Sequence, residues 1–158
     1  MIAYLKGDLL DSNVDYICHQ VNCRGRMGSG IAKQIRERFP EVYRVYSERY
    51  EDALRVLRTP DLMLGSTDIV QISGTNQHVV NMYAQRGYGY DGKCYTSYKA
   101  FKFILQTLKK EIPTNCTIGF PKGIGCGLGG GNWAVISKMI EEILGESHEV
   151  YIYEMDCG

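Results

Sequence analysis

Two glycine-rich loops contain the residues best suited to bind an anion. The first covers residues 24–30 (RGRMGSG), and the second covers residues 122–132 (KGIGCGLGGGN). Glycine lets backbone amides turn toward an anion, and each loop precedes a helical segment whose N-terminus carries partial positive charge. Asn132 can cap the helix after the second loop, and we expect the positive end of that helix to face the same anion. Two such loops in one small domain predict a site for a diphosphate.

The second loop also fits GxGxxG, the phosphate-binding pattern of dinucleotide-binding Rossmann domains. Residues 125–130 match it between a predicted strand and a predicted helix, and Glu154 stands near the end of the next strand, where a ribose-binding acid belongs. However, only one helix and one strand follow this loop, whereas a Rossmann fold usually begins with it. A Rossmann dehydrogenase is therefore disfavoured, and a glycine-rich turn without a ligand is a further alternative.

Two cysteines invite a catalytic interpretation. Cys18 and Arg24 fit CxxxxxR, the spacing of phosphatases in which a thiolate attacks phosphate and an arginine holds it. The residues between them continue a strand and contain no glycine, so their amides cannot easily curl around a phosphate, and we expect Cys18 to be a core thiol. Cys126 lies in the second loop beside a helix N-terminus, which we expect to lower its pKa. Its favoured role is still that of a small side chain in a tight turn.

Polar and aromatic side chains near strand ends are further candidates for ligand contact. His19 and Asn22 end a predicted strand just before the first glycine loop, where α/β sheets place ligand-contacting groups. The alternative for His19 is a histidine packed in the sheet. Tyr153, at the end of the last predicted strand, either stacks on a base or packs on the core.

Length and charge limit the classes of partner. The chain has 158 residues, 44% of them hydrophobic, which predicts one domain over residues 1–158. Eighteen basic residues balance eighteen acidic ones, so we expect no direct nucleic-acid partner, no membrane partner, and phosphate recognition that is local. No secretory or membrane-spanning segment is evident, which favours a soluble, cytoplasmic protein.

The cysteines and histidines do not form a recognisable metal or disulfide framework. We expect the six cysteines to be reduced, because the chain is large enough to form a core without disulfides. There is no CxxC pair, and the three histidines lie far apart in the sequence, so a structural zinc site is not expected.

Hydrophobic periodicity gives the elements that must position these residues. Strands are predicted over residues 1–7, 14–21, 68–72, 78–84, 116–121 and 149–154, the third and fourth as an antiparallel pair. One helix is predicted before Pro40, with Ile31, Ile35 and Phe39 on one face, and a second from Glu41 to about Leu57. A third follows a Thr96 cap and carries Tyr98, Phe101, Leu105 and Leu108, and a fourth begins at Trp133. The alternation favours an α/β fold, a three-layer α/β/α sandwich around a mixed sheet.

Taken in order, the motifs of the chain resemble those of the macro domain family, which binds ADP-ribose. They are KGDLL, ICHQVNCRGRMGSGIA, PKGIGCGLGGGNW and VYIYE, and together they cover nearly the whole chain. The resemblance implies the macro domain fold, with ADP-ribose in a crevice across the C-terminal edge of the sheet.

The resemblance also implies a role for individual residues. Asp8 would accept a hydrogen bond from the adenine amino group, Leu9 would offer backbone contact, and Tyr153 would pack on the base. Asn22 would bind the distal ribose. The diphosphate would lie between two sets of residues, Gly28, Ser29, Gly30 and Ile31 on one side and Gly125, Cys126, Gly127, Leu128 and Gly129 on the other.

Catalytic residues of two hydrolase branches of the family do not carry over. The aspartate that one branch places in the helix after the first loop corresponds to Ala32. The lysine and aspartate of the terminal ADP-ribose glycohydrolase branch correspond to Gln85 and Gly129. Neither chemistry is therefore implied for this chain.

The chain looks closer to the ADP-ribose 1''-phosphate phosphatases, including phage-encoded members. The similarity lies in HxxNCxGxxGxGIA, from His19 to Ala32, and in NMYAQRGYGYDGKCYTSYKA. It implies hydrolysis of the terminal phosphate of ADP-ribose 1''-phosphate without a metal or cofactor. His19 is then the candidate for proton transfer, because imidazole titrates near neutral pH. Asn22 would orient the ribose, and loop amides would stabilise phosphate charge in the transition state.

Two alternatives remain beside the phosphatase. One is a noncatalytic ADP-ribose reader that uses the same pocket. The other is a hydrolase that deacylates O-acetyl-ADP-ribose or removes ADP-ribose from protein, so that an ADP-ribosylated protein is a conceivable partner. We expect the protein itself to be a monomer.

Overall fold

The computed structural model describes residues 1–155 and contains one six-stranded sheet with helices on both faces. The strands are β1 (Ile2–Lys6), β2 (Tyr16–Asn22), β3 (Thr67–Gln71), β4 (His78–Gln85), β5 (Thr117–Pro121) and β6 (Glu149–Glu154). The α-helices are α1 (Gly30–Arg38), α2 (Pro40–Asp52), α3 (Tyr98–Glu111) and α4 (Trp133–Leu144). This is the predicted three-layer α/β/α sandwich.

The strand order, β1-β6-β5-β2-β4-β3, places the ends of β2 and β5 side by side. All neighbours are parallel except β3 and β4, which form the predicted antiparallel pair. The chain leaves β2 toward β3 and β4 on one side and leaves β5 toward β6 on the other. In open α/β sheets, ligands bind outside the carboxyl ends of the strands at such a switch point. Both glycine loops begin there.

Two hydrophobic clusters, one on each face of the sheet, hold the layers together. On one face α3 buries Phe101, Ile104, Leu105 and Leu108, the i, i+3, i+4, i+7 spacing of a helix whose single apolar face meets a core. On the other face α2 buries Val42 and Tyr46 against β2 and β4.

Four helix ends test the sequence predictions. Pro40 begins α2, as its fixed φ allows at a first helical position, but the predicted helix to Leu57 is α-helical only to Asp52 and continues as a π-helical turn. The prediction that Thr96 caps α3 is wrong, because the Ser97 side chain accepts the Ala100 N–H. Asn132 caps α4 as predicted: its Oδ1 accepts the Ala134 N–H at 2.8 Å.

Within residues 1–155, five cysteines are free thiols, as expected for reduced cysteines, and Cys157 lies outside the described residues. Of the helices in this part of the chain, none combines the length and the apolar character needed to cross a membrane.

Candidate ligand-binding site

A cavity of about 830 Å³ opens at the carboxyl ends of β2 and β5, between the two glycine loops. Its volume lies in the range of small-molecule sites. It is lined by Gln20, Val21, Asn22, Arg26, Gly28, Ser29, Gly30, Ile31, Ala32, Gln85, Tyr88, Tyr90, Pro121, Lys122, Gly123, Ile124, Gly125, Gly127, Leu128 and Gly129. Nine of the predicted ligand-binding residues are therefore on one surface: Asn22, Gly28, Ser29, Gly30, Ile31, Gly125, Gly127, Leu128 and Gly129.

The second loop is held in place from below by Thr96. The Thr96 hydroxyl donates to the Gly125 carbonyl at 2.7 Å, and the Thr96 N–H donates to the Gly129 carbonyl at 2.9 Å. Gly125 has φ +76°, and a Cβ there would lie 2.8 Å from Oε1 of Gln20. Glycine is thus required at residue 125 by both conformation and space.

Several backbone amides of the second loop remain available to a ligand. Within the described residues, the N–H groups of Gly125, Gly127, Leu128 and Gly129 have no acceptor in the protein. Cys126 differs, because its N–H donates to the Gly123 carbonyl at 2.9 Å. Several unpaired amides around one concavity are what an oxyanion needs, so this wall is suited to phosphate oxygens.

The first loop presents the N-terminus of α1. The first hydrogen bond inside this helix runs from the Lys33 N–H to the Ser29 carbonyl, so the N–H groups of Gly30, Ile31 and Ala32 are not used by the helix. These three residues line the cavity. The helix dipole aimed at the cavity is therefore that of α1. The expectation for α4 is wrong, since neither Asn132 nor the first turn of that helix lines the cavity.

Asn22 lies at the cavity wall with its side chain fixed by three neighbours. Its Oδ1 accepts from the Arg24 N–H and from the Tyr46 hydroxyl, each at 2.9 Å. Its Nδ2 donates to the Arg26 carbonyl at 2.9 Å. The register of β2 against β4 shifts between Val21 and Asn22, so that Asn22 is paired with Gln85.

The structure contradicts a catalytic role for His19. Its side chain is fully buried and lies outside the cavity lining. Nε2 is 2.5 Å from Oδ1 of Asn81, whose Nδ2 donates to Asp68, so Asn81 offers His19 an acceptor and the imidazole carries its proton on Nε2. Burial lowers the pKa of His19 from 6.5 to about 4. A neutral imidazole beneath the sheet surface cannot exchange protons with a ligand in the cavity.

His19 belongs instead to a buried polar network on the α2 face of the sheet. The Asp68 carboxylate accepts from Asn81, from the Tyr83 hydroxyl at 2.6 Å and from Arg49 at 2.8 Å. The Arg49 guanidinium also lies 4.8 Å from the centroid of the Tyr83 ring. The network joins β2, β3, β4 and α2, which makes it a structural element.

Neither candidate cysteine has the environment of a nucleophile. Cys18 is fully buried in the core, as predicted, and burial raises its pKa. Cys126 contradicts the expected lowering: burial, together with nearby Cys94, raises its pKa. Its thiol faces the Ile124 carbonyl, and α4 begins too far along the chain to favour the thiolate.

Asp8, Leu9 and Tyr153 lie outside the cavity lining, beyond its β5 side. Asp8 follows β1 and accepts from the Leu10 N–H with Oδ1, while Leu9 is buried in the core. Tyr153 is half-buried on β6, which pairs with β1. The Lys122 N–H donates to the Tyr153 carbonyl, so this corner of the sheet is joined directly to the cavity wall.

The sequence prediction missed several residues of the cavity. Arg26, Tyr88, Tyr90 and Lys122 all line it, and Tyr90 is 84% exposed. A basic residue inside the first glycine loop was a signal for Arg26. For the tyrosines the only signal was a loop rich in glycine and tyrosine after β4.

Two glutamines form the polar floor of the cavity. Gln20 donates from Nε2 to Oε1 of Gln85 at 2.7 Å and to the Thr96 hydroxyl at 2.9 Å. Gln85 in turn donates to the Gly87 carbonyl. These bonds tie the ends of β2 and β4 to the loop after β4 and, through Thr96, to the second glycine loop. Gln85 therefore supports the walls of the cavity, at the position that sequence similarity aligned with a lysine.

A second cavity, of about 570 Å³, adjoins the first and shares Arg26 and Tyr88 with it. Its other lining residues are Arg24, Gly87 and Tyr95. Arg24 forms an ion pair with Asp61 at 2.5 Å. The combination of arginine and tyrosine side chains suits an anionic group next to a planar one.

Curated proteins with related sequences are named for chemistry on ADP-ribose. The DNA ADP-ribosyl glycohydrolase of Mycobacterium tuberculosis is 32% identical over 84 residues, 51% of this chain and 22% of that protein. The ADP-ribose 1''-phosphate phosphatase of Meyerozyma guilliermondii is 34% identical over 73 residues, 44% of this chain and 40% of that protein. This chain thus spans less than half the length of either relative.

A phage relative matches over almost the full length. It is an uncharacterized 17.5 kDa protein of Enterobacteria phage T4, 27% identical over 145 residues, 89% of this chain and 88% of that protein. The presence of a phage homologue agrees with the resemblance to phage-encoded members. Models of known protein families gave no match to the chain.

The fold has close counterparts among solved structures. The macrodomain of Mycobacterium tuberculosis DarG superimposes with a TM-score of 0.80 at 23% identity, covering 97% of each chain. This likeness, at 23% identity, identifies the macrodomain fold. The macrodomain fold, together with sequence relatives named for chemistry on ADP-ribose, supports the macro domain family for this chain.

Proposed function

We propose that the chain binds ADP-ribose in the cavity between its glycine loops and hydrolyses the phosphate ester at C1'' of ADP-ribose 1''-phosphate. The observation that carries the proposal is the pairing of two amide-rich walls across one cavity of about 830 Å³. One wall is the N-terminus of α1, and the other is the loop from Gly125 to Gly129. A diphosphate between them meets unpaired N–H groups on both sides, which compensates its charge without a basic protein.

Asp8 and Tyr153 would hold the adenine end. They lie at the carboxyl ends of the paired strands β1 and β6, next to the cavity wall at Lys122. Oδ1 of Asp8 accepts from the Leu10 N–H, which leaves its second oxygen for the adenine amino group. The Leu9 backbone lies beside it, and the half-buried Tyr153 ring offers a face to the base.

Asn22 and Arg26 would hold the opposite end, where the terminal phosphate is released. Asn22 contacts the distal ribose, and the exposed Arg26 side chain supplies positive charge beside it. In the reaction, water adds to the phosphate ester and inorganic phosphate leaves, giving ADP-ribose. Arginine and loop amides stabilise the additional charge on phosphate oxygens in the transition state. His19 takes no part, because its side chain is fully buried and lies outside the cavity lining.

Phosphate release from ADP-ribose 1''-phosphate tests this activity. We expect turnover by the wild-type protein and by His19→Gln, and a large loss of turnover in Arg26→Ala. Binding of ADP-ribose without any phosphate release would contradict hydrolysis and leave a reader of ADP-ribose. Loss of turnover in a folded His19→Gln variant would contradict the proposed site chemistry.

A second candidate activity is removal of ADP-ribose from DNA. The observation that favours it is the adjoining cavity with Arg24, Arg26, Tyr88 and Tyr95, because arginines bind phosphodiesters and tyrosines stack on exposed bases. The balanced net charge of the chain does not oppose this, since these arginines act locally. Release of ADP-ribose from an ADP-ribosylated single-stranded oligonucleotide, with no phosphate release from ADP-ribose 1''-phosphate, would favour this activity over the first.

A further inference from the structure

Tyr46 of α2 contacts Asn22 although it lies outside the cavity. Its hydroxyl is 2.8 Å from the Asn22 carbonyl and 2.9 Å from the Asn22 Oδ1. The side chain is fully buried, and burial raises its pKa, so the hydroxyl is a hydrogen-bond donor throughout the physiological pH range. We infer that Tyr46 is a positioning residue, which fixes the Asn22 amide in the orientation that contacts the distal ribose. This inference rests on the proposed binding of ADP-ribose.

Two backbone groups near Asn22 identify which atom of its side-chain amide is Oδ1 and which is Nδ2. The Arg24 N–H can only donate, so the atom that meets it is Oδ1, and the Arg26 carbonyl can only accept, so the atom that meets it is Nδ2. The single Tyr46 proton is shared between Oδ1 and the Asn22 carbonyl, so Oδ1 has the Arg24 N–H as a full donor and Tyr46 as a shared one. One N–H of Nδ2 remains for a ligand. Asn22 therefore acts on the ribose as a donor.

The β-bulge explains why Tyr46 is needed at this point. The register shifts between Val21 and Asn22, and the Asn22 carbonyl at this irregular point accepts from the Tyr46 hydroxyl. One bifurcated hydrogen bond from this hydroxyl thus links the backbone and the side chain of Asn22. Without it, the amide is held only by the Arg24 N–H and the Arg26 carbonyl, and its position is less tightly fixed.

The Tyr46 ring is itself held by the buried network. It stacks on the Tyr83 ring with centroids 5.8 Å apart and an interplanar angle of 19°. Tyr83 is fixed by its hydrogen bond to Asp68 and by the Arg49 guanidinium, which lies over its ring. A rigid ring places the hydroxyl accurately, which is what a positioning residue requires.

Calorimetric titration of Tyr46→Phe with ADP-ribose and with ADP tests the assignment. ADP lacks the distal ribose, so an effect transmitted through Asn22 appears with ADP-ribose alone. We expect affinity for ADP-ribose to fall about 5- to 30-fold, with affinity for ADP unchanged. In an Asn22→Ala background, Tyr46→Phe should have no further effect, because the group that it positions is absent.

Tyr43→Phe is the matched control, because Tyr43 precedes Tyr46 by one turn of α2 and lies under Arg36, with its ring centroid 6.4 Å from that of Tyr46. We expect it to bind both ligands like the wild type. Unchanged ADP-ribose affinity in a folded Tyr46→Phe variant would overturn the assignment, as would equal losses for ADP and ADP-ribose. A wild-type protein that binds neither ligand would overturn the proposed function and this assignment together.

Discussion

The burial of His19 predicts a specific loss of stability in acid. The imidazole is neutral in the folded protein down to its lowered pKa of about 4, whereas in the unfolded chain it takes up a proton near pH 6.5. Between these values the unfolded state binds more protons, so the free energy of unfolding falls as the pH is lowered. The groups around the His19 imidazole are Asn81, which accepts from Nε2, and the Asp68–Arg49 ion pair behind Asn81.

The size of the effect follows from the two pKa values. A shift from 6.5 to about 4 makes the His19 contribution about 2 to 3 kcal/mol between pH 7.5 and pH 4.5. We expect His19→Gln to remove this part of the pH dependence, because glutamine does not titrate and its Nε2 can still donate to Asn81. Urea unfolding of both proteins at the two pH values measures the difference.

Carboxylates also titrate in this range, so only the difference between the two proteins is informative. His78→Gln is the control for loss of a histidine as such, since His78 is on β4 and stacks on Tyr16 at 5.0 Å. Parallel pH profiles for the wild type and His19→Gln would refute the reasoning. An equal change in His78→Gln would contradict burial of His19 as the cause.

Three further predictions concern the loops and their ligand. Gly129→Ala should lower the free energy of unfolding by about 1 to 3 kcal/mol, because its Cβ would lie 2.5 Å from Oγ1 of Thr96, whereas Gly127→Ala, with nothing within 4 Å, should unfold in urea like the wild type. Asp8→Asn keeps an acceptor for the backbone but places an N–H toward adenine, so calorimetry should show affinity for ADP-ribose weakened by about 1 to 3 kcal/mol. Asn132→Ala removes the cap of α4 and should cost about 0.5 to 2 kcal/mol in urea unfolding without a change in ADP-ribose affinity.

Each of these has an outcome that contradicts it. Equal unfolding of the Gly129 and Gly127 variants would mean that the loop has more room than the structure shows. Unchanged affinity in Asp8→Asn would place the adenine elsewhere. Weaker binding in Asn132→Ala would mean that the N-terminus of α4 contributes to the site after all.

Much of the fold was predictable because it depends on local patterns. Periodicity located all six strands and the four helices, and the turn-rich segment before His78 predicted the β3–β4 pair. The order of strands in the sheet depends on long-range pairing that periodicity does not contain. The cap of α3 was misplaced because Thr96 and Ser97 are both able to cap. A tertiary contact decides between them, since the Thr96 hydroxyl bonds to Gly125.

The loop glycines and Asn22 were predictable parts of the site, whereas Arg26 and the tyrosines that line the cavity were not. His19 was assigned to the cavity from its position near a strand end. Its alternation with Ile17 and Val21, both buried in the same cluster, already placed it on the core face. Asn22 is outside this alternation, and the register shift after Val21, which no sequence pattern indicated, sets its position at the end of β2. The contribution of Arg26 and the tyrosines depends on loop conformations that the sequence does not specify.

The most direct test of the account is a titration of the isotope-labelled protein with ADP-ribose, followed by the backbone amide signals in NMR. We predict saturable binding of one ligand, with the largest shifts at the amides of Gly30, Gly125, Gly127 and Gly129, which have no acceptor in the described protein. Gly74, in the turn between β3 and β4, should not shift. Absence of binding, or binding that shifts Gly74 and spares the loop glycines, would contradict the central claim.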